Sequence, residues 1–462
     1  MRKTSWRRRA FIFDCRSGRF DESSSPPGSS PGSAPWPTSW WRILIVTIPE
    51  PTILHRASWL VSVSHPPIGN GAVLLQGERI LSAGNYGTVK SQAPAGTSEH
   101  DHGSAALVPG LVNGHTHLEL TGFQGLIPLP QPGFPAWLGK VFEHRSTFSI
   151  ESMRESIEEG LRQLTASGTA LCGDINNGSH LESAPKTAGA TRHVFFEVLG
   201  FDRQGLTDAV GLEMLNAFAA SARRSPAMSL AAHAAYSTSP EVIRDAKGWC
   251  RRTGRVFSIH VAEHAEEVEF LQGGSGFCRE LLQGLGRWAS RWNPPNMSPL
   301  AYLDRLGVLD RRTLVVHAVH FNGNDWEIAR RRGISICFCP RSNRNLSAGR
   351  PDIPKALELG LVAALGTDSL ASNTDLDLFQ EAVFTLEQYP EISPDAVLAM
   401  ITLGGATAVG QAQSFGAIEA GKSSRILAVA IPESASRNHL AESILLQGKR
   451  GAWKWVSSCT NV

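Results

Sequence analysis

The segment that most constrains the fold of this chain is LVPGLVNGHTHLE, residues 107–119. Its apolar stretch, 107–112, predicts a short strand that leads into the tripeptide His115-Thr116-His117. Side chains two positions apart in an extended chain point to the same side, so the imidazoles of His115 and His117 are expected to converge. Two converging imidazoles form half of a typical metal site, although a histidine pair alone is also compatible with an ordinary loop.

Downstream, short apolar stretches alternate with segments of helical character. Helix 239–254 illustrates the latter, because Ser239 suits an N-cap and Gly254 suits a C-cap. The predicted strands are 107–112, 168–175, 192–200, 228–237, 256–263, 313–320, 334–340 and 361–369. Continuous apolar strands separated by helices are typical of a parallel sheet, and eight such repeats predict a (β/α)8 TIM barrel.

Strand-like segments also flank the predicted barrel. They lie at 59–64, 71–76, 79–84, 416–431 and 439–456. We therefore expect a small split β-sandwich domain formed by both chain ends, residues 51–110 and 412–462, around a barrel that comprises 111–411. Residues 1–50 contain a Pro/Gly/Ser tract with few apolar side chains, so we expect a disordered N-terminal extension.

Composition excludes several functional classes. A net charge of +2 gives no indication of a nucleic-acid partner. No apolar run reaches about 18 residues, which argues against a membrane span. The arginines at 7–9 lack the apolar run of an export signal. Seven scattered cysteines predict reduced thiols and hence a cytoplasmic protein. From the charge and the absence of an apolar run, we expect no nucleic-acid or membrane partner.

Functional residues of such barrels occupy the carboxyl ends of the strands. Histidines and acidic residues fall at this position on five of the predicted strands. They are His115 and His117, His233, His260 and Glu263, His317 and His320, and Asp368. Three imidazoles and a carboxylate with an open position for water suit a catalytic Zn²⁺ or Fe²⁺. The predicted ligands are His115, His117, His260 and Asp368.

The remaining polar residues at this rim predict hydrolytic chemistry. A bound metal lowers the pKa of its water and generates hydroxide. Glu263, three residues after His260, is placed to carry a proton from that water to a ring nitrogen of the substrate. Asp368 would also accept a proton, and His317 would orient the hydroxide or polarise the substrate. No lysine ends strand 3 or 4, so we expect one metal ion, with Zn²⁺ favoured over Fe²⁺.

The motifs PGLVNGHTHLE, SIHVAEH, VVHAVH, CPRSN and LGTDSLASN, in this order, resemble the amidohydrolase superfamily. They are most similar to its deaminase and chlorohydrolase branch, which includes guanine, cytosine, S-adenosylhomocysteine and aminofutalosine deaminases. The resemblance implies the barrel, the flanking β-sandwich and the metal and proton-transfer roles given above. It also implies that His233 contacts the substrate and that Trp137, with Arg145 nearby, lines the pocket.

Two details of the substrate pocket stay open. The strand 4 motif reads His233-Ala234-Ala235-Tyr236 where the family usually has His-Ala-Pro-Tyr, so the way in which His233 contacts the substrate is not determined by the motif. Arg341, in CPRSN, lies after strand 7 and either binds an anionic or carbonyl group of the substrate or has a structural role.

The expected reaction is hydrolytic deamination of an amino-substituted purine or pyrimidine-type ring, with an aminofutalosine-like compound as one candidate substrate. The alternatives are displacement of halide or alkylamine from a heteroaromatic ring, cleavage of a cyclic amide, and a non-catalytic scaffold. The expected partner is a small heterocyclic molecule. Dimers are common among the enzymes that the chain resembles, so the resemblance is also compatible with a homodimer.

Overall fold

The computed structural model describes residues 50–177 and 189–456. The extension predicted to be disordered lies, except for residue 50, outside the described residues. Two β-sheets dominate this part of the chain, one of eight strands and one of seven.

The eight-stranded sheet is parallel, and each strand pairs with the next one along the chain. Its strands are β6 (Leu111–Thr116), β7 (Thr169–Asn176), β8 (Thr191–Val198), β9 (Met228–Ala234), β10 (Phe257–Val261), β11 (Thr313–His317), β12 (Ser335–Phe338) and β13 (Val362–Leu365). A parallel bridge between Thr116 and Asp368 joins the two ends of the sheet. The predicted (β/α)8 barrel is therefore confirmed.

Helices cover the barrel and connect its strands. The described α-helices are α1 (Tyr86–Gln92), α2 (Phe134–Arg145), α3 (Ile150–Ala166), α4 (Leu206–Val210), α5 (Leu212–Arg224), α6 (Pro240–Thr253), α7 (Ala265–Gly273), α8 (Phe277–Gly284), α9 (Pro299–Arg305), α10 (Gly323–Arg332), α11 (Pro340–Asn345), α12 (Ile353–Glu358), α13 (Leu378–Gln388), α14 (Pro394–Ala399), α15 (Gly405–Ala408) and α16 (Leu440–Lys449). Shorter helical turns are a 3₁₀ turn at Leu118–Phe123, a π turn at Met400–Gly404 and a 3₁₀ turn at Arg437–His439. None of the helices in the described ranges is long and apolar enough to cross a membrane.

The caps of α6 agree with the sequence prediction. The Ser239 hydroxyl accepts a hydrogen bond from the backbone N–H of Val242, and Pro240 fills the first turn. Gly254 ends the helix at φ 69°, a left-handed conformation that glycine adopts without steric cost. The helix therefore ends where strand β10 has to begin.

The barrel interior is packed with apolar side chains below the carboxyl ends of the strands. These side chains include Val112, Leu171, Phe195, Leu314, Val316 and Cys337. Because side chains fill the interior, a small molecule can reach polar groups only at the rim.

The seven-stranded sheet combines strands from both ends of the described chain. Its strands are β1 (Thr52–Leu60), β2 (Ile68–Gln76), β3 (Arg79–Asn85), β4 (Ser98–Asp101), β5 (Ala105–Pro109), β14 (Ile426–Ala430) and β15 (Trp453–Trp455). Strand β14 pairs antiparallel with β5, so the segment after the barrel joins the segment before it. The boundaries proposed for a separate β-sandwich domain remain a prediction.

The predicted strand 107–112 is in fact divided between the two sheets. Strand β5 ends at Pro109 and β6 begins at Leu111, with Gly110 between them. A Cβ atom at Gly110 would lie 2.6 Å from the Ala170 side chain and 2.9 Å from the Arg425 carbonyl oxygen. Only glycine fits this crossing, and an apolar sequence cannot reveal that its two halves belong to different sheets.

The predicted strand character of 439–456 is wrong for most of that segment. Residues Leu440–Lys449 form helix α16, and only Trp453–Trp455 form a strand. The buried residues of α16 are Leu440, Ala441, Ile444, Leu445 and Gly448. Their spacing of three and four positions is helical, and this periodicity outweighs the apolar content on which the strand prediction was based.

Candidate active site

Four predicted metal ligands converge at the carboxyl end of the barrel. His115 Nε2 lies 3.2 Å from His117 Nε2 and 3.3 Å from His260 Nε2. Asp368 Oδ1 lies 3.7 Å from His115 Nε2 and 3.6 Å from His117 Nε2. Ligand atoms of a tetrahedral site with metal–nitrogen bonds of about 2.0–2.1 Å are separated by about 3.3 Å. Ligand atoms lie within 4.8 Å of one another in two groups that share His115, one with His117 and Asp368 and one with His260 and His317. Each group offers three donors that suit a divalent metal ion.

The electrostatics of these histidines also favour a cation. Burial lowers the pKa of His117 to about 3 and that of His115 well below its usual value. Neutral imidazoles whose Nε2 atoms lie 3.2 Å and 3.3 Å apart can direct their lone pairs at a shared point. A cation at that point would remove the repulsion between the lone pairs, and a proton would not satisfy all of them.

Asp368 is held so that one carboxylate oxygen faces the histidines. Its other oxygen, Oδ2, accepts hydrogen bonds from the hydroxyls of Ser342 at 2.6 Å and Ser372 at 3.1 Å. The Asp368 backbone N–H donates to the carbonyl of His115 at 3.1 Å. These contacts leave Oδ1 available as a metal ligand.

Backbone and side-chain acceptors fix the tautomers of two histidines. His260 Nδ1 donates to the carbonyl oxygen of His233 at 2.8 Å, so His260 Nε2 keeps its lone pair. His317 Nδ1 donates to Asn343 Oδ1 at 3.0 Å. Both imidazoles therefore present an unprotonated Nε2 to the site.

Glu263 lies beside these histidines, at the end of β10. Its Oε1 is 3.5 Å from His317 Nε2, and burial raises the pKa of its carboxyl group to about 7. The backbone N–H of Glu263 donates to Glu267 Oε2 at 3.2 Å. A carboxyl group with this pKa can both accept and release a proton near neutral pH.

Four residues at this rim adopt the left-handed backbone conformation without being glycine. They are Ala262, His317, Ala318 and Asp368, with φ between 52° and 75°. Such conformations are energetically unfavourable for residues with a side chain and concentrate at functional sites. Three strands thus end in strained turns that direct Glu263, His317 and Asp368 to one place.

His233 lies at the same cluster. Its ring centroid is 5.2 Å from that of His260, and its Nδ1 is 2.6 Å from the Ser237 hydroxyl oxygen. The ring is partly exposed, whereas His115 and His260 are buried. This position beside the donors is compatible with the predicted substrate contact, which stays a prediction.

Trp137 and Arg145 both belong to α2, which follows β6, the first strand of the barrel. The Trp137 indole N–H donates to the carbonyl of Ala371 at 2.8 Å, in the segment after Asp368. Arg145 Nη2 lies 3.7 Å from Glu119 Oε2, and the Arg145 side chain is partly exposed. Both residues border the rim through their neighbours, and their contact with a substrate stays a prediction.

Arg341 is engaged in contacts within the protein. Its terminal nitrogens donate to both carboxylate oxygens of Asp375 at 2.8 Å and 2.7 Å, and Nη2 also donates to the Thr374 hydroxyl. A carboxylate oxygen of Glu381 lies 3.8 Å away. These contacts favour the structural alternative, while substrate binding by Arg341 stays a prediction.

Several polar residues at this rim were not assigned from the sequence. Asn343 and Ser342 lie within the quoted CPRSN motif, but their contacts with His317 and Asp368 require the fold. Glu197 ends the apolar segment of β8, and Asn177 Nδ2 donates to its Oε2 at 2.8 Å. Glu197 could have been predicted as a site residue by the signal used for His260, a polar residue at the end of an apolar strand.

Comparison with known proteins places these residues in a family context. The sequence model described as "Amidohydrolase family" matches residues 106–446. An aminodeoxyfutalosine deaminase of Deinococcus radiodurans is 28% identical over 354 residues, which cover 74% of this chain and 81% of that protein. A 5-methylthioadenosine/S-adenosylhomocysteine deaminase of Moorella thermoacetica is 26% identical over 392 residues, covering 82% and 85% of the two chains.

A solved structure shares the fold. The adenosine deaminase from Xanthomonas campestris, a structure with bound zinc, superposes with a TM-score of 0.69 at 21% sequence identity. The match covers 86% of this chain and 90% of that one. At this identity the comparison supports the barrel architecture and its flanking sheet.

Proposed function

This chain belongs to the amidohydrolase family, and on that premise we propose that it is a metal-dependent hydrolase that deaminates an aminopurine-like ring. The observation that carries the proposal is the convergence of His115, His117, His260 and Asp368 with Glu263 beside them. This arrangement combines a metal site with a proton carrier at one rim of the barrel.

We propose Zn²⁺ as the metal, held by the three imidazoles and Asp368. A metal ion in this position would lower the pKa of a bound water so that hydroxide is available near neutral pH. The nitrogen-rich donor set with one carboxylate is typical of catalytic zinc, and the Xanthomonas campestris adenosine deaminase structure contains zinc. Fe²⁺ is the alternative that this donor set also accommodates.

The chain supplies the proton transfers. Glu263, with a pKa of about 7, would accept a proton from the attacking water and deliver it to the ring nitrogen next to the amino-bearing carbon. His317 Nε2, unprotonated because Nδ1 donates to Asn343, would accept a hydrogen bond from that water and orient it. Asp368 would take the remaining proton of the attacking water and pass it to the amino group, which leaves as ammonia when the carbon–nitrogen bond breaks.

We propose an aminopurine nucleoside as the substrate. This narrower statement is supported by the relatives described above, two of which carry adenosine or its derivatives in their names. The reacting carbon and its neighbouring ring nitrogen would lie beside the Glu263 carboxyl group. Partly exposed His233 is the side chain placed to contact the ring from the open side of the site.

The decisive experiment is ammonia release by the zinc-loaded full-length protein, measured over a panel of 6-aminopurine nucleosides with different 5′ substituents. Metal content is determined on the same preparation. We expect stoichiometric ammonia and the 6-oxo product from at least one nucleoside. Chloro- and alkylamino-triazines form a second panel, and turnover confined to those compounds would replace deamination by displacement of halide or alkylamine. Failure of the zinc-loaded protein on both panels would overturn the proposed reaction.

A further inference from the structure

Glu197 is a buried carboxylate at the carboxyl end of β8 that the reaction described above does not use. It is 5% exposed. Its Oε2 accepts a hydrogen bond from Asn177 Nδ2, whereas its Oε1 is buried and has no hydrogen-bond partner among the residues that the structure describes. A buried carboxylate oxygen left without a partner is costly, so its surroundings should explain it.

The imidazole of a proposed metal ligand lies beside that oxygen. Glu197 Oε1 lies 3.6 Å from His260 Nδ1, on the side of the ring opposite His260 Nε2. The Nδ1–H already donates to the His233 carbonyl, and Nε2 faces the other ligands. The carboxylate, the imidazole and the proposed metal position therefore form a continuous series.

We propose that Glu197 is a positioning residue of the metal site, which strengthens the binding of the divalent ion through His260. The proposal rests on the proposed function insofar as His260 is taken to be a ligand. An imidazole that binds a cation through Nε2 becomes more positive, and a nearby carboxylate stabilises that polarised ring. The unpaired Oε1 of Glu197 would then compensate the positive charge that the His260 imidazole gains when the metal binds.

The neighbours of Glu197 explain why this position carries a carboxylate. Asn177 Nδ2 donates to Oε2, whereas Oε1 lies 3.6 Å from His260 Nδ1, whose hydrogen is directed at the His233 carbonyl. A glutamine can keep the Asn177 contact through its one accepting oxygen, but it places a neutral NH₂ group beside His260. Glu197→Gln therefore removes the negative charge with little change in side-chain volume.

The experiment measures metal affinity directly and needs no substrate. The zinc dissociation constants of wild type, Glu197→Gln and Glu197→Asp are determined by competition with a chromophoric chelator, together with the visible spectra of the Co²⁺-substituted proteins. We expect a loss of affinity of about 10- to 100-fold for Glu197→Gln. Glu197→Asp keeps the charge at a greater distance and should fall between that variant and wild type. The Co²⁺ spectrum of Glu197→Gln should shift, because the ligand field of His260 changes.

Asp325→Asn is the matched control for loss of a buried carboxylate. Asp325 is fully buried and accepts from the Ser298 hydroxyl and from the backbone N–H of Asn322 in the capping box of α10. Its loss should therefore lower the thermal midpoint while zinc affinity stays at the wild-type value. A Glu197→Gln protein with wild-type zinc affinity would overturn the proposal. A raised KM with unchanged zinc affinity would also overturn it, because that result identifies a substrate contact.

If Glu197→Gln folds poorly, Glu197→Asp becomes the test variant, and its zinc affinity must then be lower than that of wild type.

The proposed function can fail independently of this inference. Wild-type protein that binds zinc tightly but releases no ammonia contradicts the reaction and leaves the role of Glu197 intact. Wild-type protein without measurable zinc affinity contradicts both.

Discussion

The hydroxyl of Thr116 donates a hydrogen bond of 2.9 Å to the backbone carbonyl of Asp368, 252 positions later in the chain. The same two residues form the parallel bridge that joins the first barrel strand to the segment after the last. His115 and His117 flank Thr116, so closing the barrel brings the carboxylate to the imidazoles. The proposed metal site and the closure of the barrel therefore depend on the same contact.

Replacement of Glu263 by glutamine should abolish proton transfer and leave the metal in place. Glutamine keeps the size of the side chain but cannot accept or release a proton, so we expect kcat to fall by about 10²- to 10⁴-fold. Metal content by elemental analysis should equal that of wild type. Glu280→Gln, at an exposed carboxylate of α8, is the control and should keep full turnover. Loss of metal from Glu263→Gln would instead identify Glu263 as a ligand.

Asn343→Leu should reduce turnover through His317. The substitution removes the acceptor of the His317 Nδ1–H and leaves that buried donor without a partner, which costs about 1–3 kcal/mol. We expect kcat to fall about tenfold, with unchanged metal content and unchanged KM. Asn343→Asp retains the acceptor and should recover part of kcat, with a displaced pH profile because an added negative charge raises the pKa of His317. Equal kcat in the leucine variant and wild type would exclude a role for this contact.

Glu267→Gln should change the pH dependence of stability. Burial raises the pKa of Glu267 from 4.5 to about 8, so the folded state holds a proton that the unfolded state releases. The stabilisation from this proton is complete below pH 4.5 and is lost as the pH rises through 8. Glutamine removes this group's contribution, which reaches at most about 1.4 kcal/mol per pH unit. Thermal midpoints between pH 5 and 8.5 should therefore decline less steeply in Glu267→Gln, whereas Glu280→Gln should follow the wild-type slope.

Arg341→Met should distinguish a structural role of Arg341 from a role in substrate binding. Its side chain is 11% exposed and lies beside Asp375 and the fully buried Glu381. Removing the guanidinium leaves a buried carboxylate without its cation, and we expect the free energy of unfolding to fall by about 3 kcal/mol. KM should remain at the wild-type value. Arg330→Met, at an exposed arginine of α10, should change neither quantity. A raised KM with unchanged stability would support the substrate contact.

Local sequence determined the barrel strands and the residues at their ends. Apolar stretches of strand length, separated by helices with recognisable caps, are local patterns in the sequence. They therefore predict the strands without any knowledge of the tertiary structure. The same holds for His115, His117, His260 and Asp368, because a polar residue that ends an apolar strand of a parallel barrel has one rim to occupy. The helical spacing within α16 was also present in the sequence, but the apolar content of that segment concealed it.

Tertiary structure decided which of these residues touch. The Ser342 contact that directs Asp368, the Asn343 contact that fixes His317 and the approach of Glu197 to His260 join residues on different strands and loops. Such contacts depend on barrel closure and on left-handed turns at the strand ends, and no local periodicity encodes them. The division of the predicted strand 107–112 at Gly110 also depends on long-range pairing. Its first half belongs to β5, which pairs with β14, a strand more than 300 positions later in the chain. Local patterning thus fixed which side chains reach the rim, and long-range pairing fixed their distances and partners.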